Sequence, residues 1–447
     1  MGKYFGTDGV RGVVNVELDA MLAFKIGCAA AYVLQEQSSR RAKILIGKDT
    51  RISSDMLEAA LTAGICSSGV DVEVLGAIPT PAVAYLTIKH GAAAGIVISA
   101  SHNPYEYNGI KIFAGNGYKL NDELEARIEE YIDHADKIPL AVNGKLGRVI
   151  KGEIDPVEEY TDHLAETIQG DLSGLRIAVD CANGAASTTA KVLFRKLKAD
   201  ASFRYFEPDG VNINLGCGST HLEPLQERMR TGEFDCGIAF DGDADRCLVV
   251  DDKGEVLDGD RIMAVCAVKL KQEGRLRGNA FVATVMSNKG LYKYAEGNGI
   301  DIVCANVGDR YVLEKMLENG YCLGGEQSGH VIFLEHASTG DGELTAIQFL
   351  SILRDSGKKA SEIAAEVMPW PQMLVNVAVP NTQKATIAKH PIVKEAIDEA
   401  EGKLGGGRIL VRPSGTEALV RVMVEAEDAE LVQTTCCAVA DVIRSVL

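Results

Sequence analysis

The chain has 447 residues, 46% hydrophobic and 24% charged, and a formal net charge of −17 from 46 basic and 63 acidic residues. That length exceeds one hydrophobic core and favours about three domains, and the lack of any run of about 20 apolar residues argues against a membrane span. The acidic balance argues against nucleic acid, which selects a basic face, yet a few local arginines would suffice for an anionic substrate. Eleven cysteines without C-x-x-C spacing, behind an N-terminal MGKYFGTDGVRG that has no apolar signal core, read as a cytoplasmic protein whose thiols are mostly small buried hydrophobes.

In chain order, KILIG (43–47) predicts a strand, 53–69 a helix, 71–76 a strand, 80–90 a helix and 94–99 a strand. RIAVD (176–180) predicts another strand with a helix over 183–197, and DCGIAF (235–240) a further buried strand. Strands follow at 280–285, 301–307 and 330–335, with helices over 288–297, 309–319 and 340–355. This alternation predicts βαβ units with mainly parallel sheets, whose strand ends are where ligands bind. After Pro369-Trp370-Pro371 the pattern changes to a strand (373–379), a helix (391–403), a strand pair (408–412 and 419–425) and a closing helix (428–446). The polar segments at 151–157 and 253–260 mark two further boundaries. The expected domains are 1–152, 153–254 and 255–368, all α/β, and 369–447, α+β.

Four stretches carry chemistry. In GIVISASHNPYEYNGIKIF (95–113) a buried strand ends at Ser101 and His102. A strand end is a rigid platform for a nucleophile, which at neutral pH needs activation. A capped turn before Pro104 is the plain alternative, and neighbours on an extended chain point apart, so His102 need not be the base. In DGDADRC (241–247), Asp241, Asp243 and Asp245 alternate, so an extended loop would set all three on one side, where their repulsion calls for a hard cation such as Mg²⁺; a solvated acidic loop is the alternative. An EF-hand is excluded, because neither its Gly nor its bidentate Glu is in place. Arg246 beside them suggests an anion near the metal.

In GGEQSGH (324–330), Glu326, Ser328 and His330 fall at every second position. Extended, they would present one polar face to a polyhydroxyl ligand; a polar hairpin edge is the alternative. In RPSGTEALVR (412–421), Ser414-Gly415-Thr416 forms a tight turn flanked by Arg412 and Arg421, a nest suited to phosphate, or else a β-turn with surface arginines. Arg11 sits in the Gly-flanked loop FGTDGVRG. Lys111, between apolar residues, would have a depressed pKa and exchange protons near neutrality.

These motifs, in this order, resemble the α-D-phosphohexomutase family along the whole chain: ISASHNPYEYNGIKIF, DGDADR, GGEQSGH and RPSGTEALVRVMVE all match its pattern. The resemblance implies four domains around a central cleft, three of them related α/β domains with mixed sheets plus a C-terminal α+β domain. It implies a phosphoserine enzyme with the phosphoryl group on Ser101, and Mg²⁺ held by Ser101, Asp241, Asp243 and Asp245. Lys111 and His330 would move the hydroxyl proton, His102 would orient the loop, and Arg11 and Arg246 would spread phosphoryl charge. Glu326 and Ser328 would grip sugar hydroxyls; Arg412, Ser414, Gly415, Thr416 and Arg421 would hold the distal phosphate. KYFGTDGVRG, VMSN, VGDRYV and the Gln of GEQSGH are most similar to members acting on glucosamine phosphates. The expected partner is therefore a phosphorylated amino sugar, with glucosamine 1,6-bisphosphate as intermediate and activator, feeding UDP-N-acetylglucosamine and cell-wall synthesis. Asp309 of VGDR would attract the substrate ammonium. A homodimer is expected on the same ground. Ala418 departs from the family, which often has Pro there. The alternatives are a phosphomannomutase or phosphoglucomutase, a Mg²⁺-dependent sugar phosphatase, and a sugar-phosphate-binding regulator.

Overall fold

The computed structural model describes every residue except 1, 7, 36–41, 381, 385 and 415–417. The chain divides into two compact units, one of residues 1–286 and 299–366, the other of 287–298 and 367–447.

The first unit contains three sheets. In the first, the strands run in the order Val10–Val13, Tyr107–Ala114, Ala94–Ile98, Lys43–Lys48, Asp71–Ala77, Val149–Ile150. The first two pairings are antiparallel and the other three parallel. The central strand AGIVI is wholly buried, as expected for a strand covered on both faces. The helices Ala20–Gln35 and Ser54–Ser67 pack together so closely that a Cβ on Gly64 would lie 2.2 Å from the Phe24 carbonyl oxygen.

The second sheet has the order Val256–Leu257, Cys247–Val250, Cys236–Phe240, Arg176–Asp180, Asp200–Arg204, and the third Asp301–Ala305, Ala280–Thr284, Leu323–Gly325, Val331–Phe333. Each mixes parallel with antiparallel pairing. The second sheet runs to Leu257, past the boundary expected at 254, and Ser287–Asn298, expected in the third domain, clusters with the second unit.

One device recurs in all three sheets. A strand paired in parallel on one side turns back into an antiparallel partner, and the turn carries the chemistry-bearing residues. Ala94–Ile98 returns as Tyr107–Ala114, with Ser101 between. Cys236–Phe240 returns as Cys247–Val250, with Asp241, Asp243 and Asp245 between. Leu323–Gly325 returns as Val331–Phe333, with Glu326, Ser328 and His330 between.

The second unit is an antiparallel sheet in the order Gln372–Ala378, Leu419–Glu425, Arg408–Pro413, with helices Pro391–Glu401 and Ala429–Ser445. Its own core includes Val377, Val420, Val422, Val424, Val432, Cys436 and Val439. Among the described residues no helix is long and apolar enough to cross a membrane.

Candidate active site

Ser101 is 1% exposed and sits at φ 51, in the left-handed region that L-residues seldom occupy. Its hydroxyl donates to Asp241 Oδ2 at 2.6 Å. The turn also brings His102 Nδ1 to 3.3 Å from Ser101 Oγ, so these neighbours do not point apart as an extended chain would require. Burial first, then Arg246 and Arg11, pushes the His102 pKa down to about 4, so its ring is neutral near pH 7.

The three aspartates converge, but not by the expected route. Residues 241–246 form a turn in which Ala244 N–H donates to the Asp241 carbonyl at 3.1 Å and Ala244 has φ 56. Ligand atoms of Asp241, Asp243 and Asp245 lie within 4.8 Å of one another. The glycine of DGDADR permits the contact with the serine loop, since a Cβ on Gly242 would sit 2.5 Å from the Ser101 carbonyl oxygen.

Asp243 Oδ2 accepts from Thr80 Oγ1 at 2.7 Å and from Lys111 Nζ at 2.8 Å. Lys111 Nζ also lies 3.4 Å from Asp245 and 3.2 Å from Asp8. This corrects the expectation of a depressed Lys111. Burial alone would lower its pKa, but the carboxylates of Asp243, Asp8 and Asp245 outweigh it and hold the ammonium well above its ordinary value. Asp8 also pairs with Arg11 and Lys119. Arg246 is held charged despite burial by Asp245, Asp241 and Glu326, and its backbone N–H donates to Asp241 Oδ1 at 3.2 Å.

The GGEQSGH stretch is not extended either. Residues 327–329 form a turn, Glu326 N–H donates to the His330 carbonyl at 2.9 Å, and Ser328 is exposed at the tip. Glu326 and His330 thus flank a hairpin turn rather than alternate along one strand. Glu326 Oε1 accepts from Gly308 N–H at 2.9 Å. His330 Nε2 accepts from Gly340 N–H at 3.1 Å and lies 3.8 Å from Asp309, with Nδ1 3.7 Å from Asp245. Burial lowers the basicity of His330, and Asp245, Asp309 and Glu326 more than restore it. Gln327, noted for its family likeness, points to structure: its Nε2 donates to Asp258, the N-cap of helix Gly259–Gln272, at 3.1 Å.

The site fits a hard divalent cation. Asp243 Oδ1 and Asp245 Oδ1 are buried without hydrogen-bond partners. The three converging carboxylates of Asp241, Asp243 and Asp245 crowd like charges that such an ion would offset. Burial first, and then the charges of Asp245 and Asp243, pushes the Asp241 carboxyl well above its ordinary range.

In the second unit, Arg412 and Arg421 stand directly across from each other in neighbouring strands. Ser414 is buried and its N–H donates to the Leu419 carbonyl at 2.9 Å. Gly415 and Thr416 lie outside the described residues.

Several participants escaped the motif reading: Asp8, Asp49, Arg51, Thr80, Ser99, Lys119 and Asn214. Asn214 Nδ2 donates to the carbonyls of Ser101 at 2.9 Å and Asn103 at 3.1 Å. The signal available for Asp49 and Arg51 was the polar run KDTR closing a buried strand.

Four family models match in succession. They are the phosphoglucomutase/phosphomannomutase α/β/α domain I over residues 2–139, domain II over 158–254, domain III over 258–370 and the C-terminal domain over 374–442. The chain is 54% identical over 446 residues to a phosphoglucosamine mutase of Acetivibrio thermocellus, covering 99% of each. Among solved structures it is similar to a phosphoglucomutase/phosphomannomutase family protein of Burkholderia thailandensis, with TM-score 0.80, 23% identity and coverage of 98% of this chain and 97% of that one. It is also similar to Aspergillus fumigatus N-acetylphosphoglucosamine mutase in complex with GlcNAc-6P and magnesium, with TM-score 0.71, 19% identity and coverage of 99% and 95%. At those identities the two structures support the fold alone. The full-length match at 54% identity and the four consecutive family models make this chain a member of the phosphoglucomutase/phosphomannomutase family.

Proposed function

We propose that this chain interconverts glucosamine 6-phosphate and glucosamine 1-phosphate, with a phosphoryl group carried on Ser101 and glucosamine 1,6-bisphosphate as the intermediate. The observation that carries the reading is the 2.6 Å hydrogen bond from the Ser101 hydroxyl into the aspartate cluster. The relatives named phosphoglucosamine mutase support the sugar.

In the forward direction the phosphoryl group passes from Ser101 Oγ to O1 of glucosamine 6-phosphate. One P–O bond forms at O1 and one breaks at Oγ; O1 gives up its proton and Oγ takes one up. The bisphosphate turns over, O6 faces Ser101, and the reverse transfer returns the phosphoryl group to the serine. Such transfers depend on positioning and charge neutralisation. Asp241, Asp243, Asp245 and the Ser101 oxygen would hold Mg²⁺, which when bound neutralises charge on the transferring oxygens. Lys111, held as an ammonium, serves as proton donor and charge stabiliser rather than as the initial base. His330 takes the hydroxyl proton, which requires its Nε2 to exchange the Gly340 N–H for the sugar. His102 holds the reacting oxygen with a neutral ring. Arg11 and Arg246 spread phosphoryl charge, and Glu326 and Ser328 grip the sugar hydroxyls.

Arg412, Ser414, Gly415, Thr416 and Arg421 of the second unit are assigned the distal phosphate. The facing register of Arg412 and Arg421 supports this, because two guanidinium groups at directly opposed positions of an antiparallel ladder can donate to one anion. We assign 1–152 to the phosphoserine, 153–254 to the metal, 255–368 to sugar recognition and 369–447 to phosphate. A homodimer is expected, and sedimentation as a 447-residue monomer would exclude it.

Intact-protein mass spectrometry with peptide mapping, before and after incubation with glucosamine 1,6-bisphosphate and Mg²⁺, tests the mechanism. One phosphate on Ser101, lost in Ser101→Ala, is the expected result; no phosphate under any loading condition overturns it. Stoichiometric release of inorganic phosphate would favour a phosphatase.

A further inference from the structure

We propose that the buried pair Asp49–Arg51 is the device that holds Ser101 in its reactive conformation, making both residues, with Ser99, positioning residues for phosphoryl transfer. The proposal rests on the reading of Ser101 as the phosphoryl carrier.

Asp49 follows the strand Lys43–Lys48, which runs parallel to Ala94–Ile98 with Lys48 opposite Ile98. That register sets Asp49 beside Ser99. Asp49 and Arg51 side chains are both 0% exposed, with Arg51 Nε 2.8 Å from Asp49 Oδ2. Asp49 Oδ2 also accepts from Ser99 Oγ at 2.6 Å, and Ser99 Oγ in turn accepts from Ser101 N–H at 2.9 Å. From the other side, Arg51 Nη2 donates to the Ser101 carbonyl at 2.9 Å and to the Asn103 carbonyl at 2.7 Å, and Nη1 donates to the Pro104 carbonyl at 2.5 Å.

The ion pair therefore fixes the N–H, through Ser99, and together with Asn214 Nδ2 the carbonyl, of a residue whose φ of 51 is unfavourable by itself. Three carbonyl oxygens aimed at one point repel each other, and a planar guanidinium with several N–H groups satisfies all three at once. A lysine ammonium has neither the span nor the fixed geometry. Such a carbonyl cluster has no role in packing an apolar core. Its geometric consequence is the aim of Ser101 Oγ at Asp241.

The test is single-turnover phosphoryl transfer from glucosamine 1,6-bisphosphate to Ser101 in the full-length protein with Mg²⁺, followed by intact mass. Ser99→Ala, which leaves the ion pair intact, is expected to stay folded and to slow transfer by roughly 10- to 100-fold, the scale of a displacement near 1 Å, with KM for sugar phosphate unchanged. Arg51→Lys is expected to slow it similarly, and Arg51→Ala to regain rate with added guanidinium ion. Wild-type transfer rates in both Ser99→Ala and Arg51→Lys would overturn the proposal. So would a rise in KM without loss of rate, which would place the pair in sugar binding. If Arg51→Ala does not fold, Ser99→Ala decides. If the wild-type protein takes no phosphate on Ser101, the reading of Ser101 itself fails, an outcome distinct from loss confined to the variants.

Discussion

Lys119 Nζ lies 2.5 Å from Asp309 Oδ2, so a residue just beyond the strand Tyr107–Ala114 is tied to the first residue of the helix Asp309–Asn319. Lys119 also pairs with Asp8, which in turn meets Lys111 and Arg11. Asp309 therefore belongs to the same charge network as Asp8, Lys111 and Arg11. Burial would raise its carboxyl, but Lys119 overrides burial and keeps it ionised. Asp309→Asn is expected to lower kcat/KM for glucosamine 1-phosphate by about tenfold relative to glucose 1-phosphate, equivalent to ~1.4 kcal/mol. An unchanged ratio between the two sugars removes Asp309 from amino-group recognition.

The aspartate cluster predicts a metal-dependent gain in stability. Asp241→Asn keeps an amide oxygen to accept from Ser101 but turns an amide NH₂ toward the Arg246 N–H that Asp241 Oδ1 accepts, and it takes one carboxylate from the candidate metal set. Mg²⁺ should therefore raise the melting temperature of wild type more than that of the variant. Activity of the variant should fall by roughly 100-fold or more. Melting curves for both proteins in EDTA and in Mg²⁺ check this; an equal Mg²⁺-induced rise in the two would remove Asp241 from the metal site.

Most strands and helices were legible because their signals are local. AGIVI and CGIAF are continuous apolar runs, and RIAVD was bounded on both sides by turn residues. The site residues were legible too, but their geometry was not. Alternation suggested that Asp241, Asp243 and Asp245 share one side of an extended chain; they meet because Ala244 adopts a left-handed turn, which its side chain gives no reason to expect. The sequence neighbours of Lys111, Ile110 and Ile112, are apolar, whereas Asp243, Asp8 and Asp245, which set its charge, come from distant segments. Arg51 was invisible for the same reason: its partners, the carbonyls of Ser101, Asn103 and Pro104, are backbone atoms about fifty positions away.

Asp341 predicts a pH dependence of stability. It caps helix Gly342–Ser356 by accepting from Leu344 N–H at 2.9 Å, and it accepts from Tyr160 OH at 2.8 Å. Burial pushes its pKa up to about 6 from an ordinary 3.8. A carboxyl raised in the folded state binds its proton more tightly there than in the unfolded chain, so its contribution is most favourable below about pH 4 and is lost as pH rises through 6. By pH 7 the loss amounts to about 3 kcal/mol at most. Asp341→Asn is expected to remove this dependence, so that the difference in melting temperature between variant and wild type grows in the variant's favour from pH 4 to pH 7. A constant difference across that window would mean that Asp341 does not titrate there.

Gly242 gives the sharpest separation of fold from chemistry. Its position admits no side chain, because a Cβ would come within 2.5 Å of the Ser101 carbonyl oxygen and 2.9 Å of Asn214 Nδ2. The former is backbone and cannot rotate away, so Gly242→Ala must push the metal turn from the serine loop. The contact at stake is the 2.6 Å bond between Ser101 and Asp241, at the ends of two strands that belong to different sheets. Each sheet keeps its own ladder, so the loss of order should be confined to the seam. A shift approaching 1 Å at the reacting oxygen should lower kcat by roughly 100-fold. The strained seam should lower the melting temperature modestly, and circular dichroism should be unchanged. Phosphate uptake on Ser101 should slow in proportion to kcat, which ties the defect to transfer. A Gly242→Ala protein with wild-type kcat would mean that the two turns need not touch for transfer, and that the hydrogen bond from Ser101 to Asp241 is incidental to it.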